Sequence, residues 1–259
     1  MSRLDLATRM RSLLGSFGGP RGERPAGIEA LRDLSAQDRQ IVERTLPFTM
    51  TGVARLVALI DAVRYCVRRD IPGDLVECGV WRGGSVLAMI LALQELGVDD
   101  REIHLFDTFE GMTEPTEVDV SADESALETW REASAGGARA WGEAFGPEVF
   151  SVQAVVELLA GTGYPMPHLH LVRGPVEETV PESAPPQISL LRLDTDWYES
   201  TRHELRHLYP RLSEGGVLII DDYGHWEGAR RAVDEYFAGE ARPLLLHRVD
   251  YTGRVAIKA

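Results

Sequence analysis

The sequence predicts an α/β fold, with a doubly wound parallel sheet that an antiparallel hairpin closes near the C-terminus. Three observations support this. From about residue 51 onward, short apolar runs alternate with stretches of helical spacing. Several of those runs end in an acid or a glycine. The last two runs are joined by Tyr251-Thr252-Gly253, a hairpin connection.

The elements follow in order. Residues 1–46 read as a helical extension, a lid or an oligomerisation element, with apolar spacing over 1–17, a Gly/Pro-rich linker over 18–27 and a second helix over about 28–44. The main domain spans 47–259. Val53, Leu56, Val57, Ile60 and Val63 recur at helical spacing, and Ile71-Pro72-Gly73 stops that helix. A strand over 74–80 runs into a glycine-rich turn, followed by an apolar helix over 85–96. The second strand covers 103–107. Residues 111–150 are less periodic and carry Trp130, Trp141 and Phe145; they read as an insertion with some helix near the active site. A helix over 152–159, a strand over 169–173 and a short helix from Glu177 come next. Strands over 188–193 and 215–220 flank a helix over 200–208. A helix over 226–237 precedes the hairpin of 244–249 and 254–258. These runs make seven strands, and in such sheets ligands bind at the carboxyl ends of the strands.

The composition excludes some functions. Apolar residues make up 44% and charged residues 26%, which is ordinary for a globular chain. A formal charge of −14 repels phosphate backbones, so no nucleic-acid partner is expected. Cys66 and Cys78 form neither a metal signature nor a disulfide framework. The first residues lack an apolar signal core, and no run approaches the ~18 apolar residues of a membrane span. A cytoplasmic, reduced protein without a membrane partner is the expectation.

The first strand and its turn, Glu77-Cys78-Gly79-Val80-Trp81-Arg82-Gly83-Gly84-Ser85, suggest a cofactor site. The glycines permit a tight turn and close approach of a ligand. Glu77 would repel a pyrophosphate but suits a cationic amino acid, which favours S-adenosylmethionine (SAM) over a dinucleotide, and no P-loop spacing is present. Asp107 closes the second strand, where it either accepts hydrogen bonds from both ribose hydroxyls or caps a turn. Thr108 follows it. Phe109 and Met112 are core residues or pack on the cofactor. Gly174, the Val176 amide and Glu177 lie where an adenine would sit, or simply start a helix.

The fourth and fifth strands end in Asp194-Thr195-Asp196 and Asp221-Asp222. As neighbours they would bring several carboxylates together, which is costly without a positive partner. A hard divalent ion such as Mg²⁺ meets that need. It would orient and acidify a hydroxyl, and Asp194 or Asp196 would take the proton. The alternative is that Asp196 and Asp222 cap the helices after them. His203 and His225 lie nearby and either touch substrate or face solvent.

At these residues the chain resembles the macrocin O-methyltransferase family, which methylates sugar hydroxyls of macrolide and aminocoumarin antibiotics. The resemblance covers about residues 45–240. It rests on Phe48-Thr49-Met50-Thr51, on the run from Pro72 to Gly84, on Asp107-Thr108-Phe109-Glu110-Gly111, on Leu191 to Thr201, and on Tyr209 to Tyr223. It implies a class I, Rossmann-like methyltransferase sheet and a Mg²⁺-dependent transfer from SAM to a sugar hydroxyl of a glycosylated small molecule. By motif, the metal ligands fall on Asp194, Asp221 and Asp222, and the base on Asp194, with Asp196 as alternate. Thr49 and Met50 match a segment that approaches the cofactor. A homodimer is implied as well. Thr195 stands where better-known members carry glycine, and Trp197-Tyr198 reshape the acceptor pocket. Three competing readings are O-methylation of a phenol or catechol, a non-catalytic SAM-binding scaffold, and a nicotinamide oxidoreductase. The complete acid set counts against the scaffold, and Glu77 with the terminal hairpin against the oxidoreductase.

Overall fold

The structure, a computed structural model, describes residues 33–146, 149, 151–239 and 243–259. The expected helix over 1–17 and the linker over 18–27 lie outside the described residues. Helix α1 (Ala36–Thr45) begins at Ser35, whose side chain accepts the Asp38 amide, and it buries Ile41 and Val42. It therefore packs into the main core. Helix α2 (Val53–Arg68) buries Leu56, Leu59, Ile60 and Val63 on one stripe.

The sheet contains β1 (Asp74–Cys78), β2 (Ile103–Asp107), β3 (Leu169–Arg173), β4 (Ile188–Leu193), β5 (Leu212–Ile220), β6 (His247–Arg248) and β7 (Arg254–Ile257), in the order β3-β2-β1-β4-β5-β7-β6. The first five are parallel, and β7 pairs antiparallel with both β5 and β6. The chain winds outward from β1 to β3, then returns to β4 on the other side. The β1/β4 boundary is the switch point where this topology opens a crevice. β6 is shorter than the sequence pattern suggests, and β5 starts earlier, at Leu212, with Gly215 at φ +77 inside a register shift against β4.

Each strand alternates between two cores. Leu75, Ile103, Leu105, Leu190 and Ile219 face α2 and α3 (Gly84–Glu95). Val76, Cys78, Phe106, Leu191, Leu193 and Ile220 face the other way, toward α8 (Tyr198–His207) and α9 (Glu227–Ala238). By the same parity, Glu77, Arg192 and Asp221 point toward α2. Between β2 and β3 lie α4 (Ala126–Ala135), α5 (Gly142–Phe145) and α6 (Val152–Ala160); α7 (Val176–Thr179) follows β3. No single helix among the described residues is long and apolar enough to cross a membrane.

Candidate active site at the strand ends

All five parallel strands deliver residues to one cleft at their carboxyl ends. Its volume is about 1280 Å³, counted to the open mouth. That space includes open solvent at the mouth, and its lining divides into a half built on the β1 turn and a half built on the ends of β4 and β5.

One half is built on the β1 turn. Gly79 sits at φ +85, and a Cβ there would collide with the carbonyl oxygen of Asp194, so only glycine lets the β1 and β4 loops touch. Asp107 holds this turn in shape. Its Oδ2 accepts the amides of Val80 at 2.7 Å and Trp81 at 2.9 Å, and its Oδ1 accepts that of Phe109 at 2.6 Å. Burial raises the pKa of this carboxyl, and the three amides pull it back down. The capping role is thus filled, while the residue still borders the cleft beside Thr108. Thr49, Met50, Trp81, Ser85, Gly174, Val176 and Glu177 also line this half. The Trp81 indole donates to the Ala144 carbonyl at 2.9 Å, which ties the turn to the insertion. Phe109 is core, whereas Met112 reaches the cleft wall.

Two expected cofactor contacts lie elsewhere. Glu77 is fully buried and does not border the cleft. The β1/β4 register sets it opposite Arg192, which donates to its Oε1, while its Oε2 has no partner. Burial pushes this carboxyl up to about 8 even with the guanidinium against it. Gly83 is the N-cap of α3 at φ +83, and the face a Cβ would occupy looks at Val155, Leu158 and Leu159. It shapes the turn without touching the cleft.

The other half is acidic. Asp194, Asp221 and Asp222 each place one carboxylate oxygen within 4.8 Å of the others, the only such grouping of metal-ligating side chains among the described residues. Arg192 lies beneath them, 1% exposed. It pairs with Asp194 at 2.8 Å and Asp221 at 2.6 Å, and donates to Thr51 Oγ1 at 2.8 Å. Arg55 of α2 bridges Asp221 and Asp250. Two guanidiniums do not neutralise the set. Burial, then the neighbouring Asp196 and Asp194, holds the Asp222 carboxyl well above the carboxylate range. The hard oxygens and unbalanced charge fit a divalent cation such as Mg²⁺.

Asp196 has a left-handed backbone, φ +68, and its Oδ1 accepts the Trp226 indole N–H at 2.8 Å. Burial and the nearby Asp194 raise it to about 7. Neither Asp196 nor Asp222 caps a helix: the N-caps of α8 and α9 are Trp197 and Trp226, with no side-chain cap bond. The first amide of α8 is met from the insertion instead, by Asp119 Oδ1, which accepts Tyr198 N–H at 2.7 Å. His225 borders the cleft, with its pKa lowered by burial and by Arg55. His203 donates from Nε2 to the Val180 carbonyl at 2.9 Å and does not line the cleft.

A tryptophan wall completes this half. Trp141, Trp197 and Trp226 stand 5.6 and 5.0 Å apart between ring centroids, and all three border the cleft with Tyr251. Their indole N–H groups are bound to Glu124, the Thr113 carbonyl and Asp196. Sequence reasoning did not assign Arg55, Thr51, Arg192, Trp226 or Thr252 to the site. Arg192 left one signal, an arginine inside the apolar run Ile188–Leu193.

A cleft at the switch point of a seven-stranded sheet with a reversed final strand defines a class I, Rossmann-like methyltransferase. The chain belongs to the macrocin O-methyltransferase family: the model described as Macrocin-O-methyltransferase (TylF) matches residues 24–257. It is 36% identical over 209 residues to the 8-demethyl-8-(2,3-dimethoxy-alpha-L-rhamnosyl)-tetracenomycin-C 4'-O-methyltransferase of Streptomyces olivaceus, covering 79% of this chain and 73% of that one. It is 33% identical over 193 residues to the mycinamicin III 3''-O-methyltransferase of Micromonospora griseorubida, covering 74% and 71%. Among solved structures, the O-methyltransferase NovP superposes with a TM-score of 0.69 at 28% identity, over 98% of both chains. The calicheamicin methyltransferase CalS11 shares the fold, with a TM-score of 0.60 at 20% identity over 93% of this chain and 98% of that one. The chain is therefore an O-methyltransferase, and its family implies SAM as the methyl donor.

Proposed function

We propose that the protein transfers the SAM methyl group to a sugar hydroxyl of a glycosylated small molecule, with a divalent cation, Mg²⁺ by preference, held by Asp194, Asp221 and Asp222. The convergence of those three carboxylates beside the cofactor turn carries this reading. The sugar acceptor is supported by the rhamnosyl-tetracenomycin and mycinamicin relatives. When bound, SAM supplies an electrophilic methyl on a sulfonium, and the cation supplies positive charge that orients and acidifies a hydroxyl.

The chain's own residues do the rest. Gly79 and the Asp107-clamped turn present backbone to the cofactor, with Thr49, Met50, Val176 and Glu177 around it. The tryptophan wall excludes water and offers flat faces for the acceptor. Asp194 is tied to Arg192, whereas the Asp196 carboxyl is raised to about 7 and borders the cleft. Asp194 groups with the other two candidate ligands, whereas Asp196 borders the cleft outside that group, so Asp196 is the candidate proton acceptor and Asp194 the ligand. Asp196 would take the proton of the acceptor hydroxyl, whose oxygen would receive the methyl group from SAM.

The test is calorimetric titration of SAM and then Mg²⁺ into wild type and into Asp221→Ala/Asp222→Ala, followed by a methylation screen over neutral glycosides. SAM binding to both proteins with Mg²⁺ binding only to wild type is the expected outcome. SAM binding without Mg²⁺ binding to wild type would remove the metal from the reading.

A further inference from the structure

Helix α8 passes beneath the Asp194-Thr195-Asp196 loop and carries a carboxyl at a position that packing alone would give to an apolar residue. Glu204 is 0% exposed. Its Oε1 accepts the Thr195 hydroxyl at 3.0 Å, and that hydroxyl lies 2.9 Å from Ser200 Oγ. Its Oε2 has no hydrogen-bond partner. The Cys78 thiol, at the end of β1, adjoins the same carboxyl. Burial raises the group well above its ordinary carboxylate value. A buried polar atom without a partner is a cost that a leucine would avoid.

The location of Glu204 suggests what offsets that cost. One neighbour, Thr195, lies between a candidate cation ligand and the left-handed Asp196. The other, Cys78, accepts the Asp194 amide at 2.9 Å through its carbonyl and precedes Gly79, which rests on the Asp194 carbonyl. Asp196 is pinned from above by the Trp226 indole. Thr195 is pinned from below by Glu204. The joint between cofactor turn and acceptor loop thus has one polar clamp on each side.

We propose that Glu204 is a positioning residue: through the Thr195 hydroxyl it holds the Asp194-Thr195-Asp196 loop so that Asp194 faces the cation site and Asp196 faces the acceptor. It acts through Thr195 and does not line the cleft itself. The assignment of what the two aspartates do rests on the proposed function; the clamp on the loop does not.

Three full-length variants test this. Glu204→Gln keeps size and acceptor, Glu204→Leu removes the polar atoms, and Thr195→Val removes the donor from the other side. The readouts are Mg²⁺ affinity by calorimetry with the metal alone, amide hydrogen exchange over residues 194–197, and the thermal midpoint. Glu204→Gln is expected within about twofold of wild type in Mg²⁺ affinity, whereas Glu204→Leu and Thr195→Val weaken it about tenfold and speed exchange over 194–197. The double variant is expected to be no worse than either single one, because both remove the same bond. The thermal midpoint of Glu204→Leu is expected not to fall, which separates positioning from core support. Wild-type affinity and wild-type exchange in a folded Glu204→Leu would overturn the proposal. If that variant does not fold, unchanged exchange over 194–197 in Thr195→Val overturns it equally. If wild type binds no Mg²⁺, the metal reading fails, and exchange over 194–197 still decides the role of Glu204.

Discussion

Arg192 sits among Glu77, Asp194, Asp221 and Thr51, and each partner reaches it from a different element. The arrangement is a matter of strand parity. Glu77 and Arg192 lie opposite each other on β1 and β4, and Asp221, just past the end of β5, faces the same side two positions beyond Ile219, the residue opposite Arg192. Removing one partner of a buried pair leaves the other uncompensated. Arg192→Met is therefore expected to destabilise the protein by about 3–5 kcal/mol in denaturant titration. A much smaller loss would mean that the acids re-protonate without cost. The acids at strand ends were legible in the sequence because the end of a strand is a local property, visible from the apolar run before it. The destination of Glu77 was not, because it depends on which residue of β4 lies opposite. The ligand-facing reading of Glu77 assumed a free carboxylate, and the buried guanidinium takes that carboxylate away.

Helix α3 begins where the segment Phe48-Thr49-Met50 crosses it. A Cβ on Gly84 would come within 2.6 Å of the Phe48 carbonyl oxygen and of Thr49 Cβ. Alanine in a helix ordinarily gains about 0.5–1 kcal/mol over glycine. Here the sign reverses, because the crossing segment must move. Gly84→Ala is expected to lower the thermal midpoint and to weaken SAM binding by about tenfold, read by scanning calorimetry and SAM titration. Stabilisation with unchanged SAM affinity would show that Thr49 and Met50 take no part in the cofactor site. The parallel strands and their helices stood out in the sequence through periodicity. The insertion did not, since α5 is a single turn and the order of the segment comes from point contacts. Asp119 capping α8 and Trp81 binding Ala144 are such contacts, and no spacing rule announces them.

Asp194, Asp196, Asp221 and Asp222 gather at the carboxyl end of the sheet, and they couple stability to pH and to metal. Asp196 is raised to about 7, and Asp222 is raised as well. In the unfolded chain both titrate near 4, so between about pH 4 and 7 the folded state binds more protons. Their contribution is fully present below the unfolded value and is lost as pH rises through the folded one. Without metal, wild type is expected to lose thermal stability relative to Asp196→Asn across this window. Added Mg²⁺ displaces those protons, so its stabilising shift is expected to be several degrees larger near pH 8 than near pH 6 in scanning fluorimetry. A shift independent of pH would place the cation elsewhere. The terminal hairpin bears on a different question, the order in which the protein is made. Thr252 donates to the Asp221 carbonyl at 2.6 Å, and Asp250 holds Arg55 from 195 positions away. β7 covers the outer side of β5. During synthesis the turn at Gly79 and the acids at 194 and 221 emerge first, without their last wall. The cleft therefore lacks its Thr252 and Asp250 contacts, and β5 its antiparallel neighbour, until the chain has been made through residue 257.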